Sequence, residues 1–248
     1  MKLKQIPWEV RFSLALVLAS VALHLVHYVF FHNLRHLWLW GLTSLAFLPV
    51  SVLVVTMLVD RLLSLREKDL RLEKLNMLIG AFFSGVGTRL LALFCGWDPQ
   101  VRSLRDQFGT AAAWEHLDPR AAQAALSAHA YEVLPHPADL AQAKELLDAR
   151  IDLLLRLLEN PSLLEHESFT ELLRAVFHFA EELSYRRQLE GLPESDLRHL
   201  AGDATRCYGL LLREWVVYVG YLRIKYPYLF SLAVRTNPLD PQASATVT

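Results

Sequence analysis

The sequence predicts an all-α protein, in which an N-terminal transmembrane helical hairpin is followed by a helical stalk and a cytosolic helical bundle. Two apolar runs, residues 12–31 and 38–59, are each about 20 residues long, which is enough to cross the hydrocarbon core of a bilayer. Farther along, capping residues stand repeatedly before prolines, as they do where helices begin. The alternating pattern of a half-buried strand is not found over any convincing length of the sequence.

The two apolar runs are predicted to form a hairpin, residues 1–60. The polar segment between them, residues 32–37, is so short that both chain ends must lie on the same side of the membrane. Eight Lys and Arg residues flank the runs on that side, whereas the turn holds only Arg35. The positive-inside rule therefore predicts a multi-pass plasma-membrane protein with both termini cytoplasmic. A cleaved export signal ending at Ala22 is the alternative, but the apolar run continues unbroken to Phe31, which favours an uncleaved anchor.

Histidines in the first apolar run are candidate functional residues, because ionisable groups in a membrane span often mark a site. His24 and His27 are three residues apart and share one helix face. In an antiparallel hairpin they lie opposite Ser44 and Thr43, so their imidazoles could hydrogen-bond hydroxyl groups and tie the two helices together. They could instead bind a metal ion or haem, for which imidazole is a common ligand.

Residues 61–97 are predicted to form a stalk and an apolar, glycine-containing helix. Residues 61–79 contain neither Gly nor Pro, so the second span should continue as a helix beyond the membrane. Part of a heptad seam would allow a homodimer through the stalk, and the alternative is a stalk packed on its own domain. The seam positions are Leu65, Leu72, Leu75 and Ile79.

A row of small and polar residues marks the apolar helix at residues 77–97. The row recurs every four positions and would let another helix approach closely. Its members are Asn76, Gly80, Ser84 and Thr88. The helix is predicted to be either buried in the domain or bound at the membrane surface.

Residues 98–236 are predicted to form a cytosolic bundle of about six helices. Helix starts are expected after the capping residues Asp98, Asp118 and His136, each of which precedes a proline. A capping box of Ser168 and Glu171 should open a further helix. A long helix and a short closing helix follow, and residues 237–248 are predicted to be a disordered tail.

The helix after Ser168 carries candidate metal ligands. His178 and Glu182 are four residues apart on one helix face, as in helical bundles that bind carboxylate-bridged iron. Such a centre needs matching ligands on a second helix, and the only comparable acidic row lacks a Glu-x-x-His motif. That row is Glu145, Asp148 and Asp152. The alternative interpretation is an ordinary solvated helix face.

An aromatic row on the long helix is a candidate binding surface. Trp215, Tyr218 and Tyr221 recur at three-residue intervals, and Trp and Tyr are frequent at the energetic centres of interfaces. The alternative is core packing, with the phenolic hydroxyl groups at the edge of the core.

Several classes of function lack support in the sequence. It contains no glycine-rich phosphate loop, G-x-S-x-G or H-E-x-x-H, so no catalytic residues and no cofactor are predicted. Cys95 and Cys207 are too few and too far apart for a disulfide framework or a zinc motif. From Arg61 onward, 21 Lys and Arg face 24 Asp and Glu, a balance that gives no reason to expect nucleic acid.

Two stretches of the sequence carry a family resemblance. The two-span layout, the segment LNMLIGAFFSGVGT and the ending YPYLFSLAVRTNP resemble uncharacterised bacterial inner-membrane proteins. The resemblance covers most of the chain and implies a place in the bacterial inner membrane, but no activity. The predicted function is a membrane-anchored, non-enzymatic interaction or signalling module, whose partners are the lipid bilayer and a cytosolic protein. The alternative is a metal- or haem-binding membrane protein that uses the intramembrane histidines or the His178–Glu182 face.

Overall fold

The computed structural model describes residues 8–31, 34–115, 117–163 and 166–246. Within these ranges the chain is helical and contains no strand, as the sequence predicts. The chain divides into two units, Met1–Glu67 and Lys68–Thr248. Residues 32 and 33 of the predicted turn lie outside the described residues.

The first unit consists of α1, Trp8–Phe31, and the beginning of α2, Leu34–Phe82. Its large apolar side chains are exposed along both helices: Leu23 is 69% exposed and Leu42 is 67% exposed. Among the described residues, one helical stretch, Trp38–Trp97, contains a segment long and apolar enough to cross a membrane, and no residue of that segment is buried. The apolar helix Leu14–Val29 is shorter. The described residues therefore give one candidate span where the sequence predicts two.

The second unit contains the remaining helices. They are the end of α2, a π-helical turn Phe83–Gly87, α3 Thr88–Trp97, α4 Val101–Phe108, α5 Ala111–Glu115, α6 Pro119–Ala128, α7 Pro137–Asp148, α8 Ile151–Leu158, a 3₁₀ turn Pro161–Leu163, α9 Glu167–Ser184, α10 Glu194–Lys225 and α11 Pro227–Arg235. Helix α10 packs along α9 and against α3 and α11, while α7 and α8 pack on α9. The polar candidates of α9 thus lie beside α10.

Local capping chemistry sets several helix starts. The Asp118 carboxylate accepts a hydrogen bond from the Arg120 amide at 3.1 Å, and Pro119 occupies the first turn of α6, as predicted. The predicted capping box of Ser168 and Glu171 is not the start of α9. Instead the His166 imidazole Nδ1 accepts from the Phe169 amide at 3.3 Å, and the helix begins at Glu167. An imidazole acceptor is a less common cap, so the Ser–Glu pair was the stronger sequence signal.

The apolar helix at residues 77–97 lies in the core of the second unit. Phe82, Val86, Leu90 and Phe94 are fully buried, which agrees with the buried alternative and not with a membrane-surface helix. The same holds for the end of the predicted stalk. Leu75 and Ile79 are buried in this core, whereas Leu65 and Leu72 are exposed.

The C-terminal segment differs from the predicted disordered tail. The Asn237 side-chain amide donates to the Phe108 carbonyl oxygen at 2.6 Å, and the Leu239 side chain is fully buried. The start of the segment is therefore fixed to the helical core. Pro- and Asn-rich composition predicts local disorder, but it carries no information on a hydrogen bond to a residue so distant in sequence.

Glycine positions in α2 and α10 give matched predictions for stability. A methyl group at Gly80 would lie 2.9 Å from the Tyr218 hydroxyl oxygen, and the Tyr218 ring is stacked on Phe83, so Gly80→Ala should destabilise the protein by about 1–3 kcal/mol. A methyl group at Gly202 meets nothing within 4 Å, so Gly202→Ala should stabilise it by about 0.5–1 kcal/mol through helix propensity. Urea unfolding of both variants measures the difference. Equal stabilities would contradict the close approach at Gly80.

Candidate functional site

A four-residue polar cluster lies between α9 and α10. His178 and Glu182 of α9 face His199 and Asp203 of α10, and each pair is four residues apart on its helix. The His178 Nε2 atom lies 4.0 Å from Glu182 Oε1 and 3.7 Å from Asp203 Oδ2. The His199 Nε2 atom lies 3.6 Å from Glu182 Oε2 and 3.5 Å from Asp203 Oδ2. Imidazole nitrogens and carboxylate oxygens therefore alternate around the cluster.

Sequence reasoning found one half of this cluster and missed the other. The His178–Glu182 pair was selected for its spacing, and the same spacing recurs in His199 and Asp203. The sequence offered the acidic residues of α7 and α8 as the comparable row, although that row lacks the Glu-x-x-His motif of di-iron bundles. The signal that identifies the partner helix is a second histidine followed four residues later by a carboxylate, His199 and Asp203.

The imidazoles of the cluster are more exposed to solvent than its carboxylates. The side chains of His178 and His199 are 51% and 52% exposed, whereas that of Asp203 is 13% exposed. The Asp203 Oδ2 atom is buried and accepts no hydrogen bond. In their present positions, no three His, Cys, Asp or Glu side chains among the described residues are arranged to hold a metal ion.

Arg186, at the end of α9, joins the cluster to the start of α10. Its guanidinium donates two hydrogen bonds to Asp196, from Nε at 2.8 Å and from Nη2 at 2.6 Å, and a third from Nη1 to Glu182 Oε2 at 2.7 Å. These hydrogen bonds from Arg186 lower the pKa of Glu182 and that of Asp196 below their ordinary values. The bidentate contact fixes the connection between the two helices that form the cluster.

The Arg186 contacts predict how the stability of the fold changes at low pH. Because the carboxyl pKa values are lower in the folded protein, their stabilisation is complete above the ordinary values of 4.5 and 3.8 and is lost as the pH falls through the lowered values. We expect Arg186→Met to lower the melting temperature at neutral pH and to flatten its decline below about pH 4.5. Arg198→Met is the control, since Arg198 forms a long, exposed ion pair with Glu194 at 3.9 Å. Equal pH profiles for the two variants would contradict this role.

A cleft adjoins the polar cluster on the same two helices. Its volume is about 460 Å³, and His178 and Asp203 lie at its edge. Three arginines also line it: Arg174, Arg206 and Arg213. The cleft is therefore continuous with the cluster and carries three additional positive charges.

The aromatic row predicted as a binding surface is largely core. Trp215 is 2% exposed, so its assignment to a surface is wrong. Its indole meets the Phe83 ring edge-on, with the ring centroids 5.2 Å apart. The Tyr218 ring stacks on the same Phe83 ring, also at a centroid distance of 5.2 Å. Tyr218 and Tyr221 are half-buried. The row stabilises the contact between α10 and the π-helical turn.

A buried polar network lies elsewhere in the second unit. The Asp98 carboxylate accepts hydrogen bonds from the Gln100 amide at 2.7 Å and from the Tyr208 hydroxyl at 2.9 Å, and it lies 2.8 Å from the His129 Nε2 atom. The Ser103 hydroxyl lies 3.3 Å from the other nitrogen of His129 and donates to the Gln100 carbonyl oxygen at 3.0 Å. The hydroxyl is thus engaged by the backbone, and every polar atom of the Asp98 carboxylate is satisfied, which fits a structural network.

The two cysteines do not form a reactive site. Both are free and buried, and burial raises the pKa of Cys95 to about 12 and also raises that of Cys207. Their thiolates are therefore scarce at neutral pH. Both side chains therefore act as small apolar groups of the core.

Comparison with known proteins gives the chain a family. A family model described as the C-terminal helical domain of the uncharacterized protein MJ1433 matches residues 71–235, and a model of the N-terminal helical domain of MJ1433 matches residues 3–63. The uncharacterized protein MJ1433 of Methanocaldococcus jannaschii is 40% identical over 228 residues, 92% of each chain. The chain belongs to the MJ1433 family. No solved structure matches it significantly.

The MJ1433 family refines the resemblance drawn from the sequence. The relative is archaeal and uncharacterized, so the family supports an uncharacterized helical protein, while the bacterial source of the resemblance is not part of the finding. The match to the N-terminal model ends at residue 63 and the match to the C-terminal model begins at residue 71. The division between the two structural units, at Glu67 and Lys68, lies between these positions. Two independent observations thus separate the same N- and C-terminal parts.

The candidate histidines of the N-terminal part lie in α1. The His24 Nδ1 atom is 2.8 Å from the Ser20 carbonyl oxygen of its own helix, and the imidazole ring lies 5.9 Å from the Trp40 ring. The Thr43 hydroxyl, predicted to meet His27, donates to the Leu39 carbonyl oxygen at 2.8 Å. The His24 imidazole and the Thr43 hydroxyl therefore each form a hydrogen bond within their own helix.

Proposed function

We propose that members of the MJ1433 family such as this chain are membrane-anchored, non-enzymatic binding proteins. In this proposal α1 and the beginning of α2 form a hairpin in lipid, and the second unit is a ligand- or partner-binding module in the cytoplasm. The exposed apolar surface of the first unit supports the proposal most strongly. The second unit, by contrast, buries its own apolar residues in a continuous core.

The first unit exposes far more apolar surface than soluble proteins tolerate. Large apolar side chains line α1 and the first half of α2, and most of them are more than half exposed, as Leu18 at 61% and Phe47 at 65% illustrate. Monomeric soluble proteins rarely expose apolar patches larger than several hundred Å². Burying one such side chain contributes roughly 1.5–3 kcal/mol. Helices also satisfy their own backbone hydrogen bonds, which a lipid environment requires.

The charge pattern supports the orientation. Lys and Arg residues flank the two apolar runs on the side of the chain termini, and the turn has only Arg35. Under the positive-inside rule, this distribution supports a cytoplasmic location for both termini and the second unit. The Trp38 and Trp40 side chains are 77% and 58% exposed near the turn, and such rings favour the membrane interface.

Alkaline carbonate extraction of native membranes tests the anchor. The full-length chain should stay in the membrane pellet at high pH and be released only by detergent. Lysine at the middle of a span costs about 2.5–3.5 kcal/mol, so a double variant Leu18→Lys and Leu53→Lys should shift chain to the soluble or aggregated fraction. Leu70→Lys, at a residue 59% exposed but outside the apolar run, is the matched control and should remain in the pellet. Release of the unmodified chain by carbonate alone would overturn the proposal.

A second proposed function, metal binding, rests on the convergence of two imidazoles and two carboxylates in the α9–α10 cluster, which would have to contract to hold an ion. Nitrogen–oxygen separations of 3.5–4.0 Å are slightly larger than the separation of about 3.4 Å between two ligands of one tetrahedral zinc ion. The half-exposed imidazoles of His178 and His199 would have to move inward for the cluster to bind one ion. The buried Asp203 oxygen without a hydrogen bond would then gain a partner.

Cobalt(II) titration of the purified, metal-free chain tests this second function. Tetrahedral binding at the cluster gives one equivalent of visible d–d absorption, which His199→Gln should abolish. The variant His24→Gln should leave it unchanged, because His24 lies in the other unit. If the folded, full-length chain shows no visible absorption when cobalt(II) is added, the metal centre is excluded.

A further inference from the structure

The cleft beside the polar cluster is lined by three arginines that form no close ion pair, together with two carboxylates. Arg206 and Arg213 are seven residues apart on α10, so they lie on one face two turns apart, and Arg174 faces them from α9. Among the residues that the structure describes, none of these three guanidinium groups forms an ion pair within 4.0 Å. Arg186, which follows Arg174 in the chain, is by contrast paired with the carboxylates of Glu182 and Asp196.

The acidic residues at the cleft do not cancel this charge. Asp203 lies at the edge of the cleft, but its Oδ2 atom faces the imidazoles of His178 and His199 at 3.7 and 3.5 Å. Glu171 also lines the cleft and forms no ion pair with the three arginines. The lining therefore holds three guanidinium groups and two carboxylates, a small excess of positive charge that favours anions.

The floor of the cleft is kept open by a glycine. Gly209 is buried, and a methyl group there would lie 3.4 Å from the Tyr131 ring and 3.6 Å from Arg213 Nη2. The Arg213 Nε atom donates to the Gly209 carbonyl oxygen at 2.9 Å, which fixes the guanidinium and leaves its two Nη groups directed away from that bond. A larger side chain at residue 209 would occupy the space beside the guanidinium.

We propose that this cleft binds a small ligand through an oxyanion group, a phosphoryl or carboxylate group held by Arg174, Arg206 and Arg213. The planar guanidinium fork matches both kinds of oxyanion with paired hydrogen bonds. The volume of about 460 Å³ lies within the range of small-molecule sites and exceeds the space that one phosphate needs. This inference rests on the binding role proposed for the second unit and names its ligand class.

Titration of the full-length chain in a non-ionic, phosphate-free detergent tests the inference. Inorganic phosphate, pyrophosphate and citrate serve as probes, with calorimetry and melting temperature as readouts at low ionic strength. We expect pyrophosphate to bind at least tenfold more tightly than chloride, and raised salt to weaken it. A parallel titration with nanodiscs that contain or lack anionic phospholipid distinguishes a soluble ligand from a lipid headgroup: competition by the anionic lipid assigns the site to the headgroup.

Matched variants locate the binding. Arg206→Gln with Arg174→Gln should lower pyrophosphate affinity at least tenfold, and Gly209→Leu should lower it while all charges remain. Arg120→Gln removes an exposed arginine outside the cleft and should leave affinity unchanged. Melting curves without ligand show whether each variant is folded. Absence of binding by the folded chain, or equal loss with Arg120→Gln, would overturn the inference, whereas the carbonate experiment alone decides the membrane anchor.

Discussion

Replacing Asp98 by alanine is expected to lower the free energy of unfolding by about 3–5 kcal/mol. The Asp98 side chain is fully buried, and its carboxylate is held by the Gln100 backbone amide, the Tyr208 hydroxyl and the His129 imidazole. Its removal leaves a buried phenol and a buried imidazole without their acceptor, and an unmet buried polar group costs more than the hydrogen bond contributes. Urea unfolding followed by tryptophan fluorescence measures the change.

Two further variants separate the network from a general effect of mutation. Tyr208→Phe removes one donor and should cost about 1–2 kcal/mol, and its combination with Asp98→Ala should cost less than the sum of the two. Asp106→Ala, at an exposed position of α4, should change stability by less than about 0.5 kcal/mol. If Asp98→Ala is as stable as Asp106→Ala, the network does not hold the fold together.

The second large effect is expected at Trp215, where alanine should lower the free energy of unfolding by about 3–5 kcal/mol. The indole is almost fully buried and contacts the rings of Phe83 and Tyr218. A residue of a partner-binding surface would instead lose affinity with little change in stability. Chemical unfolding of the isolated full-length chain, without any partner, therefore distinguishes the two roles.

Two controls refine the Trp215 prediction. Its Nε1 atom is buried without a hydrogen-bond partner, so Trp215→Phe keeps an aromatic ring, removes that unpaired donor and should cost clearly less than alanine. Val217→Ala changes a side chain 62% exposed on the same helix and should be nearly neutral. A Trp215→Ala variant as stable as Val217→Ala would restore the surface interpretation.

Local signals in the sequence predicted much of the helical structure. Asp118 before Pro119 marks the start of α6, because an acceptor side chain and a fixed backbone angle act within a few residues. The apolar segment at residues 77–97 was predicted as a helix, but only packing shows that it is buried. At α9 the helix is capped by His166 and not by Ser168. The sequence did not indicate this, because imidazole is an uncommon capping acceptor.

Features that join distant residues could not be read from the sequence. Asp98 meets Tyr208 across more than a hundred residues, and Asn237 meets Phe108 across a similar separation. Trp215 was ambiguous because a large ring serves equally in a core and at an interface. Of the α9–α10 cluster, the sequence indicated only His178 and Glu182, because residue spacing reveals which side chains share one helix face but not which second helix packs against it.

Cysteine accessibility in native membranes tests most directly whether lipid surrounds the first unit. Leu53 in the apolar run and Leu70 beyond it are 60% and 59% exposed, so without lipid a cysteine at either position should react equally with a water-soluble maleimide. The native Cys95 and Cys207 are buried and should stay unlabelled until the chain is denatured. The account predicts rapid labelling of Leu70→Cys, none of Leu53→Cys in intact membranes, and labelling of both in SDS. Equal rates in intact membranes would contradict it.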